Sequence, residues 1–320
     1  MFIEEGFKGL HDGWRYVVGT IVIFGAWQFI GAIPLMVALV YKMVDTGGFP
    51  TDITAMAEML GSNLFLFLML FSFAVGLIAV VLTARMLHRQ SMTSLTTSRP
   101  RIDWQRIGFA FVLWTIISTL FILLDIYLSP DDYEFNFKAT PFLILLVIAV
   151  LFIPLQTSFE EYYMRAYLMQ GIGIMSGRKW IPLLITSMIF GLLHIFNPEV
   201  DKLGYGIMVF YMGTGLFLGI MTLMDDGIEL ALGFHAANNL TAAILVTADW
   251  TAFQTNSLYR DISEPGLGWD VLLPVLVIYP ILLIIFARRY RWKNWRERLM
   301  GEVVGIEEDG SGMENEVDDR

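Results

Sequence analysis

Phe159-Glu160-Glu161-Tyr162-Tyr163-Met164-Arg165 places three ionisable side chains directly after an apolar run that begins near Phe142. An ionised side chain in hydrocarbon costs a few kcal/mol or more, so such groups turn into a protein-lined or water-filled cavity and pair there. Glu161 and Arg165 stand four apart with the acid first, the favourable order for an ion pair along one helix face. Glu160 lies about 100° round the helix from Glu161 and is the carboxylate left over. The spacing assigns Glu161 and Arg165 to a brace and leaves Glu160 for chemistry.

Outward from this stretch the chain is 56% hydrophobic and 16% charged over 320 residues, with a mean hydropathy of +0.61. That is too apolar for a soluble globule, and several runs approach the ~20 residues that cross a bilayer. The composition predicts an all-α polytopic membrane protein with about eight transmembrane helices. Much of the net charge of −10 sits in the final acidic segment, so it says little about the body. The lack of cysteine excludes a disulfide framework, a thiol nucleophile and Cys-ligated zinc. No nucleic-acid footprint is visible. The first apolar run is long, with no small-residue cleavage pattern after it, and reads as a span rather than a signal peptide.

Spans are expected at about Tyr16–Val40, Leu64–Ala84, Ile107–Leu128, from Thr140 past Pro154 into the Glu160 stretch, then Trp180–Phe196, Tyr205–Met224, Ile228–Thr247 and Val271–Ala287. Arginines 85, 89, 99, 101 and 106, the pair Arg178-Lys179, and the basic run from Arg288 to Arg298 place those turns and both termini in the cytoplasm under the positive-inside rule, with the cell membrane as the expected location. The acidic loop Asp131-Asp132-Tyr133-Glu134 and the hairpin Asn197-Pro198-Glu199 fall on the far side. Residues 1–139 then form a three-helix scaffold, 140–248 the core, and 249–300 an outer loop, an eighth helix and a basic end. Residues 301–320 are an acidic tail expected to be disordered. Glu160 lies 18 residues before Arg178 and His194 15 residues after Lys179, about 27 and 22 Å of helix. The two reach similar depth if the fourth helix continues beyond Arg165 to a glycine-rich turn at Gly171–Gly177.

Of four histidines, His194 and His235 fall inside expected spans, whereas His11 and His88 read as solvated. Phe190 and His194 share a face at four-residue spacing, as do His235 and Asn239, while Asn238 points elsewhere. Any one of these can be interhelical glue. Together, Glu160, His194, His235 and Asn239 come from three spans of one half, which favours a single polar cavity. Such a set suits addition of water to a carbonyl: a carboxylate as general base, a histidine that positions water and passes its proton to the leaving amine, and a second histidine with an amide for the oxyanion. Glu160, His194 and His235 equally suit zinc with an open position. No HExxH spacing decides the matter, and the metal-free form is favoured.

Taken in order, EExxxR (Glu160, Glu161, Arg165), FxxxH (Phe190, His194) and HxxxN (His235, Asn239) resemble the CPBP family of intramembrane proteases. That family comprises the type II CAAX prenyl endopeptidases and the bacteriocin-processing or self-immunity proteins. The resemblance covers about Thr140–Thr247. Tyr162 and Tyr163 stand where members usually carry smaller or aliphatic residues, and Ala166 where glycine often follows the arginine. The resemblance implies an eight-helix endopeptidase opening toward the cytoplasm, with Glu160 as catalytic glutamate, His194 as its partner in activating water, and His235 with Asn239 as the oxyanion site. It implies a membrane-associated or prenylated peptide substrate, and either no cofactor or a divalent metal such as zinc. A non-catalytic peptide-binding or bacteriocin self-immunity protein is the alternative. A transporter, which expects two repeated halves, fits less well, because the polar cluster lies in one half only.

Overall fold

The computed structural model describes residues 1–48 and 50–305. Eight principal helices follow one another: α1 Gly13–Val44, α2 Ser62–Leu87, α3 Trp104–Leu128, α4 Ala139–Ser176, α5 Trp180–Leu192, α6 Tyr205–Asp225, α7 Glu229–Leu245 and α8 Val271–Tyr290. All but α5 and α7 are long and apolar enough to cross a membrane, and the protein is an all-α, polytopic integral membrane protein. The expected fifth and seventh spans are shorter than the others. With 13 and 17 residues, α5 and α7 cover about 20 and 26 Å, against a hydrocarbon core of ~30 Å.

The early end of α5 has a local cause. His194 N–H donates to the Gly191 carbonyl, Ile195 to Leu192 and Asn197 to His194 at 2.9, 3.1 and 3.0 Å, the i to i+3 pattern that tightens a helix end. Pro198 then holds Asn197 extended, at φ −69° and ψ 146°. Helix α4 does the opposite and runs on. Past Pro154 it widens into a π-helical stretch at Tyr162–Leu168 and continues to Ser176. The residues expected to form a glycine-rich turn from Gly171 are therefore helical up to Ser176, and the turn is Gly177 to Lys179, with Gly177 in the left-handed conformation at φ 67°.

Burial varies from helix to helix. Only 11% of the most apolar window is buried on α1 and on α3, against 39% on α2, 33% on α4 and 61% on α6. Residues Glu229 to Ala237 of α7 are all buried, so this helix shows no face to lipid over two turns and tolerates polar residues that lipid would exclude. Two glycines permit the approach this needs. A Cβ on Gly215 of α6 would sit 2.9 Å from the Ser187 carbonyl of α5, and one on Gly233 of α7 would run into the Ile107 carbonyl of α3.

One end of the bundle is tied by arginines. Arg99 pairs with Asp225 at 2.7 Å and Glu229 at 3.4 Å, Arg106 pairs with Asp225, and Arg298 with Asp226. The opposite, acidic-loop end carries a small sheet that hydropathy alone did not announce. Strand β1 (Tyr133–Phe135) pairs antiparallel with β3 (Tyr259–Asp261), and β3 pairs parallel with β2 (Val246–Ala248). The tail begins ordered: Lys179 N–H donates to the Gly301 carbonyl and Val303 N–H to the Gly177 carbonyl, at 3.1 and 3.0 Å. The rest of the tail expected to be disordered, 306–320, lies outside the described residues.

His88 is not solvated. It is 1% exposed, with Nδ1 2.7 Å from the Leu10 carbonyl and Nε2 2.9 Å from the Tyr167 hydroxyl. The pattern fits a neutral ring that donates to the carbonyl and accepts from the tyrosine. Burial lowers its pKa from the ordinary 6.5, so the unfolded chain takes up a proton first. The stability this neutral ring contributes is complete above about pH 6.5 and is lost as pH falls through the folded-state pKa. Thermal unfolding of the detergent-solubilised protein between pH 8 and pH 5 should show a falling Tm, with a shallower fall in His88→Gln. An equal fall in both would show that other groups carry the dependence.

Candidate active site

Helix α4 brings Gln156, Glu160, Glu161 and Arg165 to the centre of the bundle, and α7 brings His235, Asn238 and Asn239 against them. Glu161 and Arg165 are both fully buried and pair at 3.3 Å. The guanidinium also lies over the Phe190 ring, 4.2 Å from its centroid, and reaches the Gly215 carbonyl at 3.5 Å. Glu161 has a second task that spacing did not reveal. Its Oε1 is 2.7 Å from His235 Nδ1, which fixes the ring and turns the other nitrogen outward. That nitrogen, Nε2, lies 3.5 Å from Glu160 Oε2. Glu160 Oε2 is buried and has no hydrogen-bond partner among the described residues. With His235 neutral and Nδ1 protonated, the Glu160 oxygen and Nε2 face each other as two acceptors, an arrangement that suits a shared proton or an intervening water.

A chain of amides supports the other oxygen of Glu160. Trp114 Nε1 donates to Asn238 Oδ1, Asn238 Nδ2 to Asn239 Oδ1, Asn239 Nδ2 to Gln156 Oε1, and Gln156 Nε2 to Glu160 Oε1, at 3.1, 3.1, 3.2 and 2.6 Å. Gln156 and Asn238 were absent from the sequence-based set. Gln156 stands four residues before Glu160, the spacing that could have found it. Asn238, expected to point elsewhere, turns sideways to its neighbour and to α3.

His194 reaches the cavity from the turn that ends α5. Its Nδ1 is 2.8 Å from the Phe190 carbonyl, and its ring stacks on Tyr211 of α6 at 4.3 Å and 19°. Tyr211 is a further residue the motifs did not reveal. Phe190 lies between the two histidines, 4.9 Å from His194 and 5.9 Å from His235. The tyrosines that depart from the family pattern divide: Tyr163 lines the cavity and stacks on Phe159, while the Tyr162 hydroxyl lies 2.8 Å from the Thr96 hydroxyl.

Glu160, His194 and Asn239 line one cavity of ≈400 Å³, walled by aromatic rings including Trp27, Phe73 and Phe159. Its outer lining is Asn197, Glu199, Trp250 to Phe253 and Asp261, all from the acidic-loop end, and among the described residues no arginine or lysine lines it. Toward the arginine end the bundle is filled by Arg165, Met169, Gln170, Met221, Thr222 and Glu229, each 0% exposed. A cytoplasmic arginine-rich end and a site opening toward the cytoplasm do not fit this geometry together. Among the described residues no three His, Asp or Glu side chains converge as a metal requires. Glu160 and His235 are neighbouring donors without a third in place, so the set as it stands does not form the zinc site of Glu160, His194 and His235.

Residues 138–241, which hold every motif residue, match the family model described as Type II CAAX prenyl endopeptidase Rce1-like. The chain carries an Rce1-like segment. The resemblance to CPBP proteases therefore stands, and the matched family is one of membrane endopeptidases. The Rce1-like segment takes in all of α4 to α6 and most of α7, which carry Glu160, His194 and Asn239, while Trp27, Phe73 and the 246–261 part of the cavity wall lie outside it. A relative described as "Uncharacterized protein YyaK", from Bacillus subtilis (strain 168), is 28% identical over 258 residues, 80% of this chain and 83% of the relative. The likeness thus extends beyond the Rce1-like segment. No solved structure matches.

Proposed function

We propose that this protein is an intramembrane endopeptidase that hydrolyses a peptide bond of a membrane-associated substrate, with water activated by Glu160. The observation that carries the reading is the buried, unpartnered Oε2 of Glu160 beside His235 Nε2 in an aromatic-walled cavity. In the proposed reaction Glu160 takes a proton from water as the oxygen adds to the scissile carbonyl. The carbonyl π pair moves onto oxygen, and the resulting oxyanion accepts hydrogen bonds from the amide of Asn239 and from His235 Nε2, to which Glu160 has passed the water proton. Collapse reforms the carbonyl and breaks the C–N bond, with the proton returned through Glu160 or His194 to the leaving amine. His235 is held for this work by Glu161, and His194 by the Phe190 carbonyl. No step is routed through a metal.

The test is cleavage of membrane-anchored and prenylated C-terminal peptides by purified, detergent-solubilised protein, with and without a chelator. Cleavage unaffected by the chelator is expected. Loss of cleavage that zinc restores would replace the glutamate mechanism by a metal one. A protein that binds such peptides without cutting any would favour the peptide-binding or self-immunity role.

A further inference from the structure

The two ends of the bundle differ in charge as sharply as they differ in access. The end closed by fully buried side chains carries the arginines of the 85–106 segment, Arg178, Lys179 and the basic run after α8. The end from which the cavity is lined carries Asp131, Asp132, Glu134, Glu199, Asp249 and Asp261, and its basic residues are few: Lys42, Lys138, Lys202 and Arg260. Basic residues in short loops next to spans stay in the cytoplasm.

From these observations we propose that the cavity is entered from the extracytoplasmic side, and that its substrate is a peptide segment displayed there. The proposal rests on the hydrolytic reading of the same cavity. A prenylated C-terminus presented in the cytoplasm would meet the closed end of the well, under the layer formed by Arg165, Gln170 and Glu229. The matching substrate is the outer flank of a membrane-spanning or exported peptide. Its chemistry follows from the lining. Rings from Trp27, Phe73, Phe159 and Phe253 suit an apolar or aromatic side chain, and Glu199 and Asp261, with no lysine or arginine among the lining residues, suit a cationic neighbour. Glu199 has one oxygen held by the Ala252 N–H at 3.0 Å, while the other is buried without a hydrogen-bond partner among the described residues, as is Trp250 Nε1. A buried acceptor and a buried donor thus stand at the wall of the cavity where a peptide would lie.

The natural chain has no cysteine, so single cysteines report on access without background. Asp131→Cys marks the acidic-loop end, Ala252→Cys the cavity lining and Arg101→Cys the arginine end. Intact cells expressing each full-length variant are treated with a membrane-impermeant maleimide, and labelling is compared with that after permeabilisation and with total thiol after denaturation. The expected result is labelling of Asp131→Cys and Ala252→Cys in intact cells, and of Arg101→Cys only after permeabilisation. Labelling of Arg101→Cys in intact cells, or of Asp131→Cys only after permeabilisation, would overturn the orientation. An Ala252→Cys that reacts only once denatured would overturn entry at this end. The readout needs no catalysis, so a correctly labelled protein that cuts nothing leaves this proposal standing and removes the protease reading instead.

Discussion

Glu160→Gln is expected to lower peptide hydrolysis by roughly 10²–10⁴-fold, the usual contribution of a positioned general base, with Tm and expression unchanged. Glutamine keeps the shape of the side chain and an oxygen for the Gln156 amide, whose bond to Glu160 Oε1 is 2.6 Å. What it loses is the ability to take a proton from water at the position of Oε2, 3.5 Å from His235 Nε2. The loss should therefore appear in kcat, with KM little changed, because the aromatic walls that hold the peptide are untouched. A folded Glu160→Gln protein that cuts as fast as wild type would mean that Glu160 is a hydrogen-bonding group of the cavity and that the base lies elsewhere.

The helical plan was legible because its signal is long-range and redundant. Runs of some twenty apolar residues and clustered arginines placed the helices within a few residues, α5 apart. It was shorter-range chemistry that hydropathy could not carry. Helix α5 stops at Leu192 because Pro198 and the tight turn before it end the helix, although Phe196 is as apolar as anything preceding it. His88 looked interfacial beside Arg85 and Arg89, yet it is buried because the N-terminal segment folds back over it, a tertiary contact that no local pattern encodes. In the candidate site, spacing alone paired Glu161 with Arg165 and set Glu160 apart. It could not show that Glu161 also holds His235, since that bond joins α4 to α7 across 74 residues. Gln156 and Tyr211 escaped for a related reason: an uncharged polar or aromatic residue in a span is common, and only the neighbours of these two make them part of the cavity.

The dual engagement of Glu161 leads to the second large effect. Glu161→Ala would leave the Arg165 guanidinium fully buried, with the Gly215 carbonyl at 3.5 Å and the Phe190 ring as its remaining partners. Breaking a buried pair in this way costs about 3–5 kcal/mol, a large part of the ~5–15 kcal/mol that holds a typical domain together, so this variant should express poorly and unfold early. Loss of activity in it would not separate the brace from the role of orienting His235. Removing both charges does. Glu161→Leu with Arg165→Met replaces the pair by apolar groups of similar size and should recover most of the stability. It leaves His235 Nδ1 without its acceptor at 2.7 Å, and cleavage should stay down by roughly 10–100-fold, the scale seen when a partner that orients a working histidine is removed. Glu161→Gln with Arg165→Met restores a carbonyl oxygen at that point and should regain part of the activity at the same Tm. If the Leu/Met protein folds and cuts like wild type, Glu161 is a brace alone and His235 needs no help to face Glu160. If the Gln/Met protein alone is active, the ion pair serves the fold while the bond to His235 serves the reaction.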